Sequence, residues 1–264
     1  MVEDQRRPRG AFSGKVALVF GGASGIGRAA AMGVARQGAR VVVADLDQAR
    51  MDRTVDEILH LDSSDAALAL STDVRSDRSV RAAGEDAIKA MGRVDILINM
   101  AGVLLVGKVE QLKSSDWRWL LETNLLGTVR TVAAFLPHMR ERGSGHIINA
   151  VSGGSLEPKD PLTIAYDTVQ VAVASFTRSL AAELEGTGVK VSLYSTGLGG
   201  PRIGQNTRSR GLGRLLREPN GLDEGAAHLD RFVDYLIDGL HHPRFLIDAG
   251  AGEDAAAMET SAAQ

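Results

Sequence analysis

The stretch Val16-Ala17-Leu18-Val19-Phe20-Gly21-Gly22-Ala23-Ser24-Gly25-Ile26-Gly27 decides the fold of this chain. Its first five residues form a continuous apolar run, which is typical of a strand buried on both faces. Glycines follow at positions 21, 25 and 27, and apolar residues then recur at helical spacing. The stretch therefore predicts a buried strand, a tight turn and a helix.

The same rhythm of strand and helix repeats outward from this stretch. Further strands are predicted at 41–44, 67–70, 94–98, 146–151, 189–194 and 245–247, and further helices at 48–61, 77–91, 114–142, 164–185 and 226–239. Strands that alternate with helices build a parallel sheet, because right-handed crossovers place each helix against it. We expect an α/β fold: a single doubly wound domain of the Rossmann type, with about seven parallel strands and helices on both faces.

The glycine turn between the first strand and the first helix predicts a phosphate site. A missing Cβ allows a sharp turn and lets a pyrophosphate approach the free amides at the start of the helix. A glycine cluster alone is weak evidence, because such turns also use glycine for conformation only. Its place directly after the first strand favours dinucleotide binding.

Asp45 closes the second predicted strand, where a carboxylate can accept hydrogen bonds from the ribose hydroxyls of adenosine. Such a carboxylate repels a 2′-phosphate, and neither Ser24 nor Leu46 offers a basic group to bind one. We therefore expect NAD(H) rather than NADP(H). The alternative is that Asp45 only caps the following helix.

From about Lys15 to Gly197 the chain resembles the short-chain dehydrogenase/reductase family. The resemblance rests on the glycine turn and on five later motifs, which are Asp73-Val74, Asn99-Met100-Ala101-Gly102, Asn124, Ser152 and Tyr166. It implies an oxidoreductase that interconverts a secondary alcohol and a ketone. Tyr166 would be the acid/base, Ser152 would orient the substrate, and Asn124 would support a relay water. The implied cofactor contacts are Gly21, Ser24, Gly25, Ile26, Gly27, Asp45, Asp73, Val74, Asn99, Ala101, Gly102, Tyr166, Gln170 and Gly197.

Gln170 departs from the family pattern, which has a lysine one helical turn after the tyrosine. A free phenol titrates near pH 10, so a tyrosine base at neutral pH needs its pKa lowered by roughly three, worth about 4 kcal/mol. The glutamine can still hydrogen-bond the nicotinamide ribose, but it brings no positive charge. We expect the loss to cost about 10² to 10⁴ in rate. Lys159, in the loop before Tyr166, could replace the missing charge, but we favour a solvated surface lysine.

Other departures lie in the same regions. Phe20 replaces a threonine, Met100 replaces an asparagine, Thr196 replaces a proline, and the interval from Ser152 to Tyr166 is one residue longer than usual. These changes leave a rival hypothesis open: a nucleotide-binding pseudoenzyme, or a non-redox enzyme on the same fold.

An arginine-rich segment follows Gly197, where the family has a lid over the substrate, here about residues 197–220. It contains Arg202, Arg208, Arg210, Arg214 and Arg217. These arginines could bind a carboxylate or phosphate, but we favour a solvated loop. We read Trp117 and Trp119 as packing or subunit-contact residues. The histidines show no metal-ligand spacing, so we predict no metal.

Composition sets the remaining bounds. The 264 residues carry a formal net charge of −3 and no cysteine. We therefore expect a cytoplasmic protein that binds no nucleic acid and no membrane, although salt-dependent retention on DNA would revive a nucleic-acid role. The predicted organisation is a disordered lead-in at 1–13, the nucleotide-binding domain at 14–250 and a disordered tail at 251–264. The resemblance further implies a homodimer or homotetramer, with the long helix from about Ser114 and the helix that carries Tyr166 at the subunit interface.

Overall fold

The structure is a computed structural model, and it describes residues 10–61, 66–155, 160–196, 207–211 and 226–249. The strands in these ranges are Val16–Phe20 (β1), Arg40–Asp45 (β2), Ala67–Ser71 (β3), Ile96–Asn99 (β4), Leu104–Val106 (β5), Gly145–Val151 (β6), Val189–Ser195 (β7), Thr207–Ser209 (β8) and Leu246–Asp248 (β9). The helices are Gly25–Arg36 (α1), Gln48–Leu59 (α2), Asp77–Met91 (α3), Ser114–Leu120 (α4), Leu126–Glu141 (α5), Ile164–Glu183 (α6) and Ala226–His241 (α7).

Seven of the strands form one parallel sheet in the order β3-β2-β1-β4-β6-β7-β9. From β1 the chain builds outward through β2 and β3, and it then returns to place β4 on the other side of β1. This reversal is a topological switch point, where a crevice opens beyond the carboxyl ends of β1 and β4. The predicted doubly wound sheet of about seven parallel strands is confirmed.

Helices cover both faces of the sheet. Ala17 and Val19 of β1 pack on the face covered by α1, α2 and α7, whereas Val16, Leu18 and Phe20 pack on the face covered by α3, α5 and α6. This two-sided burial explains the unbroken apolar run in the sequence of β1. No helix in the described ranges is both long enough and apolar enough to cross a bilayer.

A second, two-stranded sheet lies beyond the carboxyl end of β4. It pairs β5 in parallel with β8, so that Leu104 faces Thr207 and Val106 faces Ser209. Three-residue strands are too short to produce a readable hydrophobic period, and the sequence did not predict this sheet. It places residues 207–211 of the predicted lid against the main body.

The predicted lead-in is wrong for residues 10–13, which pack onto the domain. The Phe12 amide donates to the Gln37 carbonyl over 2.8 Å, and the buried Phe12 ring stacks on His241 with centroids 4.8 Å apart. Burial of one large apolar side chain is enough to order this short segment. Residues 1–9 and the predicted tail 251–264 lie outside the described residues.

A buried carboxylate ties the amino-terminal edge of the sheet together. Asp95 accepts hydrogen bonds from the Val16 amide over 2.9 Å and from Arg142 over 2.9 Å, and it also pairs with Arg93. Burial alone would raise the pKa of the Asp95 carboxyl, but the bonds from Arg93, the Val16 amide and Arg142 outweigh burial and lower that pKa. The carboxylate is therefore held in its charged form.

Asp95→Asn should lower the free energy of unfolding by about 2 kcal/mol at neutral pH, because a neutral amide cannot replace these charged hydrogen bonds. Since the folded pKa lies below the unfolded one, the wild-type advantage should persist above about pH 4 and shrink as the pH falls further. Urea unfolding followed by circular dichroism measures both effects.

Glu183→Gln provides the control, because it breaks an ion pair with Arg140 in which both side chains are exposed. We expect it to change the unfolding free energy by less than about 0.5 kcal/mol. Equal losses in the two variants would contradict the structural role of Asp95.

Candidate functional site

A cleft of about 820 Å³ opens at the switch point of the sheet. Its walls come from the turn after β1, the carboxyl ends of β2, β3, β4 and β6, the helical turn at 121–125, and the first turns of α6. The site is therefore assembled at the edge of the sheet that the fold predicts for a ligand.

Two glycines of the turn are required by close backbone contacts. Gly21 has a positive φ of 78°, and a Cβ there would lie 2.7 Å from the Ala101 amide nitrogen. A Cβ on Gly27 would lie 2.1 Å from the Gly21 carbonyl oxygen. A side chain at either position would push the turn away from β4 or from α1 and would deform the cleft.

The first turn of α1 faces the cleft through Ser24, Gly25, Ile26 and Gly27. Ser24 is the N-cap, but within the described structure its side chain makes no capping hydrogen bond, and the first turn holds no acidic residue. The amides at this helix end are thus not countered by a side-chain anion. They suit a phosphate group.

Asp45 supports the glycine turn as well as lining the cleft. Its carboxylate accepts from the Ala23 amide over 3.2 Å and from the Leu46 amide over 2.7 Å. The N-cap of α2 is Asp47, whose side chain accepts from the Arg50 amide over 3.1 Å. The alternative reading of Asp45 as the helix cap is therefore wrong.

Two arginines line the same end of the cleft, and sequence reasoning missed both. Arg75 donates two hydrogen bonds to the Asp73 carboxylate, over 2.9 and 2.8 Å, and this pairing lowers the pKa of Asp73. Arg50 forms an ion pair with Asp47 over 3.1 Å. Each arginine pairs with an acidic residue close to it in the sequence, so the positive charges at this end of the cleft are neutralised locally.

Asn99 is the predicted cofactor contact that does not line the cleft. Its side chain is buried and donates from Nδ2 to the Asn149 Oδ1 over 2.8 Å, and Asn149 in turn donates to the Thr177 hydroxyl over 3.0 Å. The Asn99 side chain is directed toward the neighbouring strand β6 rather than into the cleft. It links β4, β6 and α6 beneath the site.

Asn124 lies in a π-helical turn, Leu121–Leu125, between α4 and α5. Its side-chain amide pairs with the Val103 backbone in both directions, accepting from the amide and donating to the carbonyl over 2.9 Å each. π-Helical turns interrupt a helix and re-aim side chains. Asn124 thereby fixes the loop after β4, and its support of a relay water stays a prediction.

Tyr166, Ser152 and Gln170 lie together at the other end of the cleft. The Ser152 side chain hydrogen-bonds the Tyr166 hydroxyl group. The buried Gln170 side chain accepts from the Ser152 amide over 3.1 Å with Oε1. The glutamine thus positions the serine that in turn contacts the tyrosine, and its Nε2 group is a donor that can face a ligand.

Asp167 changes the electrostatics of this group, and sequence reasoning missed it although it directly follows Tyr166. Its buried carboxylate accepts from the Ser155 hydroxyl over 2.5 Å and from the Thr163 hydroxyl over 2.6 Å. Burial, and then the Asp167 charge, raise the pKa of the Tyr166 phenol far above its ordinary value, while the Ser152 hydrogen bond acts in the opposite direction. Tyr166 is a neutral phenol at physiological pH.

The structure brings most of the predicted residues together. Those that line the cleft are Gly21, Ser24, Gly25, Ile26, Gly27, Asp45, Asp73, Val74, Ala101, Gly102, Asn124, Ser152, Tyr166 and Gln170. Gly197, Lys159, Arg202, Arg214 and Arg217 lie outside the described residues. Trp119 packs against the apolar cluster that contains Leu105 and Leu120, as predicted, and it also lines the cleft.

Known proteins share both the sequence and this architecture. The profile of a family described as short chain dehydrogenase matches residues 15–210. An uncharacterized oxidoreductase of Staphylococcus aureus strain MW2 is 35% identical over 184 residues, which are 70% of this chain and 78% of that protein.

Two solved structures also resemble the chain. A short chain dehydrogenase/reductase from Burkholderia phymatum in complex with NAD is 28% identical with a TM-score of 0.83, covering 93% of this chain and 92% of its own. A metagenomic short-chain oxidoreductase in complex with NADP is 31% identical with a TM-score of 0.66, covering 70% and 82%.

Gly27→Ala should weaken NADH binding by about ten- to a hundredfold, because the added methyl group displaces the turn that borders the cleft. Gly84→Ala is the matched control, since its Cβ would meet the Phe135 ring at 3.6 Å, an ordinary contact. We expect Gly84→Ala to leave binding unchanged and to add about 0.5 kcal/mol of helix stability. NADH fluorescence titration with parallel thermal unfolding distinguishes the variants. Unchanged NADH affinity in Gly27→Ala would contradict the assignment of the glycine turn to the nucleotide site.

Proposed function

Because the chain belongs to the short-chain dehydrogenase family, we propose that it is an NAD(H)-dependent oxidoreductase that interconverts a secondary alcohol and a ketone. The observation that carries the proposal is the hydrogen-bonded pair of Ser152 and Tyr166, which opens into the same cleft as the glycine turn. A nicotinamide bound in this cleft supplies hydride exchange with the substrate carbon. The chain's own residues hold the substrate oxygen and move its proton.

Ser152 and Tyr166 divide this work. Both hydroxyls can hydrogen-bond the reacting oxygen, which holds the substrate carbon in a fixed place. In ketone reduction the Tyr166 phenol donates its proton to the oxygen as that oxygen gains negative charge. In alcohol oxidation the tyrosine must first lose its proton and then accept the alcohol's. We propose that Asn124 supports proton exchange by holding the adjoining loop.

Burial and the charges near Tyr166 keep it in the protonated form from which it donates. Gln170 occupies the place where a lysine ammonium would stabilise a phenolate, and Asp167 adds a negative charge. The neutral phenol is ready for ketone reduction at neutral pH. The phenolate required for alcohol oxidation is scarce there, so we expect oxidation to need alkaline pH.

The acid at position 45 supports NAD(H) as the cofactor. Its carboxylate lies at the end of β2 on the cleft wall, where it can accept hydrogen bonds from ribose hydroxyls. A 2′-phosphate would meet this negative charge. Arg50, the nearest basic residue in sequence on that wall, already pairs with Asp47.

A homo-oligomer is also part of the proposal. Leu126 of α5 and Ile164 and Val171 of α6 are exposed large apolar residues. Because they lie on the two helical regions that the family resemblance predicts as the subunit interface, their burial between subunits would account for them. A cytoplasmic location remains a prediction from the absence of cysteine.

A redox-inactive nucleotide-binding protein is the second candidate, and the neutral Gln170 favours it. In that case NADH binds, but neither the wild type nor a variant with a lysine at position 170 turns over any ketone or alcohol. Measurable turnover that requires Tyr166 excludes this candidate.

Tyr166→Phe should lower ketone reduction at neutral pH by about 10² to 10⁴, because the proton donor is lost. It should leave NADH affinity within about twofold. Tyr194→Phe is the matched control, because Tyr194 is buried away from the cleft and donates to the Phe232 carbonyl. Stopped-flow absorbance of NADH measures the rates. Full activity in Tyr166→Phe would refute the role of Tyr166.

Gln170→Lys should move the onset of alcohol oxidation to lower pH by about one to two pH units, since an ammonium stabilises the phenolate. In the wild type we expect oxidation to rise about tenfold per pH unit across the neutral range, whereas ketone reduction shows no such rise. Gln170→Met, a neutral control, should lose rate through its missing bond to the Ser152 amide without moving the onset. Identical pH profiles for the lysine and methionine variants would contradict the electrostatic argument.

Asp45→Asn should reduce the preference for NADH over NADPH by about tenfold, because the amide no longer repels a 2′-phosphate, while its single oxygen keeps one of the two backbone hydrogen bonds. Fluorescence titration with both nucleotides gives the ratio. Asp86→Asn, at an exposed position on α3, controls for the loss of one negative charge. An unchanged ratio of NADH to NADPH affinity in Asp45→Asn would mean that the adenosine ribose does not bind at Asp45.

A further inference from the structure

Arg208 is held over the aromatic wall of the cleft. Its guanidinium carbon lies 3.9 Å from the centre of the Trp119 ring, and Trp119 lines the cleft together with Val103 and Leu104. Stacking of this kind fixes the plane of a guanidinium group and leaves its N–H donors at the edges free to bind. Arg208 therefore has a defined position beside the cleft.

The strand that carries Arg208 is anchored on both sides of this residue. β8 pairs with β5, and the Arg210 amide donates to the Val106 carbonyl over 3.0 Å. The Arg210 guanidinium binds both oxygens of the buried Asp116 carboxylate, over 2.9 and 2.5 Å. These contacts contradict a wholly solvated loop for residues 207–211.

The two arginines of this strand differ in what they bind. Arg210 occupies both carboxylate oxygens of Asp116, which also accept from the Lys113 amide. The Arg208 side chain makes no hydrogen bond or ion pair with any residue that the structure describes; it stacks on the Trp119 ring, and its charge adds to that of Arg210 in lowering the pKa of Asp116. It leaves an ordered fork of unused donors that matches a carboxylate.

We propose that Arg208 recognises a carboxylate on the substrate, which makes the preferred substrate a keto acid or hydroxy acid. The inference rests on the proposed function, because it assigns the substrate class of that same cleft. Asp167 sets the orientation, since its buried charge near Tyr166 repels an anion from the reacting end. The substrate oxygen lies at Ser152 and Tyr166, and the carboxylate lies beside Arg208.

The test uses a series of keto acids of increasing chain length, each paired with its neutral methyl ester. In the wild type the best acid should exceed its ester in kcat/KM by about tenfold, mainly through KM, and added salt should reduce this ratio. Arg208→Gln should bring the ratio close to one by lowering kcat/KM for the acid about tenfold. Arg118→Gln, an exposed arginine on the neighbouring α4, should keep the wild-type ratio.

A binding measurement separates this inference from the proposed redox function. Trp117→Phe leaves Trp119 as the sole tryptophan of the chain, so its fluorescence reports on the cleft wall. Keto acids are titrated into this variant with saturating NAD⁺, where no hydride can be transferred, and also without nucleotide. We expect a saturable change for the acids that Arg208→Gln weakens about tenfold, and the esters should need about tenfold higher concentration to produce it.

The outcomes are distinguishable. Binding of acids that depends on Arg208 in the absence of any turnover supports the carboxylate site and refutes the redox proposal. Turnover in which acids and esters perform equally, or in which Arg208→Gln keeps the preference for acids, refutes the carboxylate site and leaves the redox proposal standing.

Discussion

The close approach of two backbones at the switch point is the constraint on which the rest of the structure depends. Gly21 must pass within contact distance of Ala101, and Gly27 must pass equally close to Gly21. These approaches bring the turn after β1, the loop after β4 and the first turn of α1 to one place. The Asp45 carboxylate completes this arrangement by accepting from the Ala23 amide. These few contacts thus hold the core together and also shape the cleft. A substitution that loosens them therefore affects both the core and the cleft.

Beneath the cleft, a row of buried polar side chains replaces hydrocarbon packing on one face of the sheet. It runs from Asn99 through Asn149 to Thr177, and the Asn99 Oδ1 atom is the one buried side-chain acceptor without a partner in the described structure. Phe20 faces Asn99 across the strand pair, and its ring packs edge-on with Phe135 instead of offering a hydroxyl donor. The unmet acceptor costs about 1–3 kcal/mol, which the burial of the phenylalanine ring offsets. This exchange explains how the core tolerates phenylalanine where the family has threonine.

The sequence was sufficient for the parts of the molecule that depend on strong local patterns. The β1 run, the glycine turn and α3 follow from hydrophobic period and capping, and the motif residues converge because the carboxyl ends of parallel strands share one edge. The pairing of β5 with β8, the seat of Arg210 on Asp116 and the stack of Arg208 on Trp119 join residues far apart in the chain, so no local pattern contains them. Phe12 was missed for the same reason, because its partner His241 lies on the last helix. Asp167 directly follows Tyr166 in the sequence, but its effect on the Tyr166 pKa depends on burial, which the sequence alone does not show.

Gln170 shows why the loss of a charge here is not a simple deletion. Its Oε1 accepts from the Ser152 amide, and a lysine ammonium has no acceptor with which to make that bond. A lysine at position 170 would therefore stabilise the Tyr166 phenolate, but it would also leave the Ser152 amide facing a second hydrogen-bond donor. The serine, which contacts the Tyr166 hydroxyl, would lose its support. Gln170 therefore does not stabilise a Tyr166 phenolate, but its hydrogen bond fixes the position of Ser152. That combination keeps Tyr166 protonated and Ser152 in place, and it leaves the phenolate formed by proton donation without a stabilising cation.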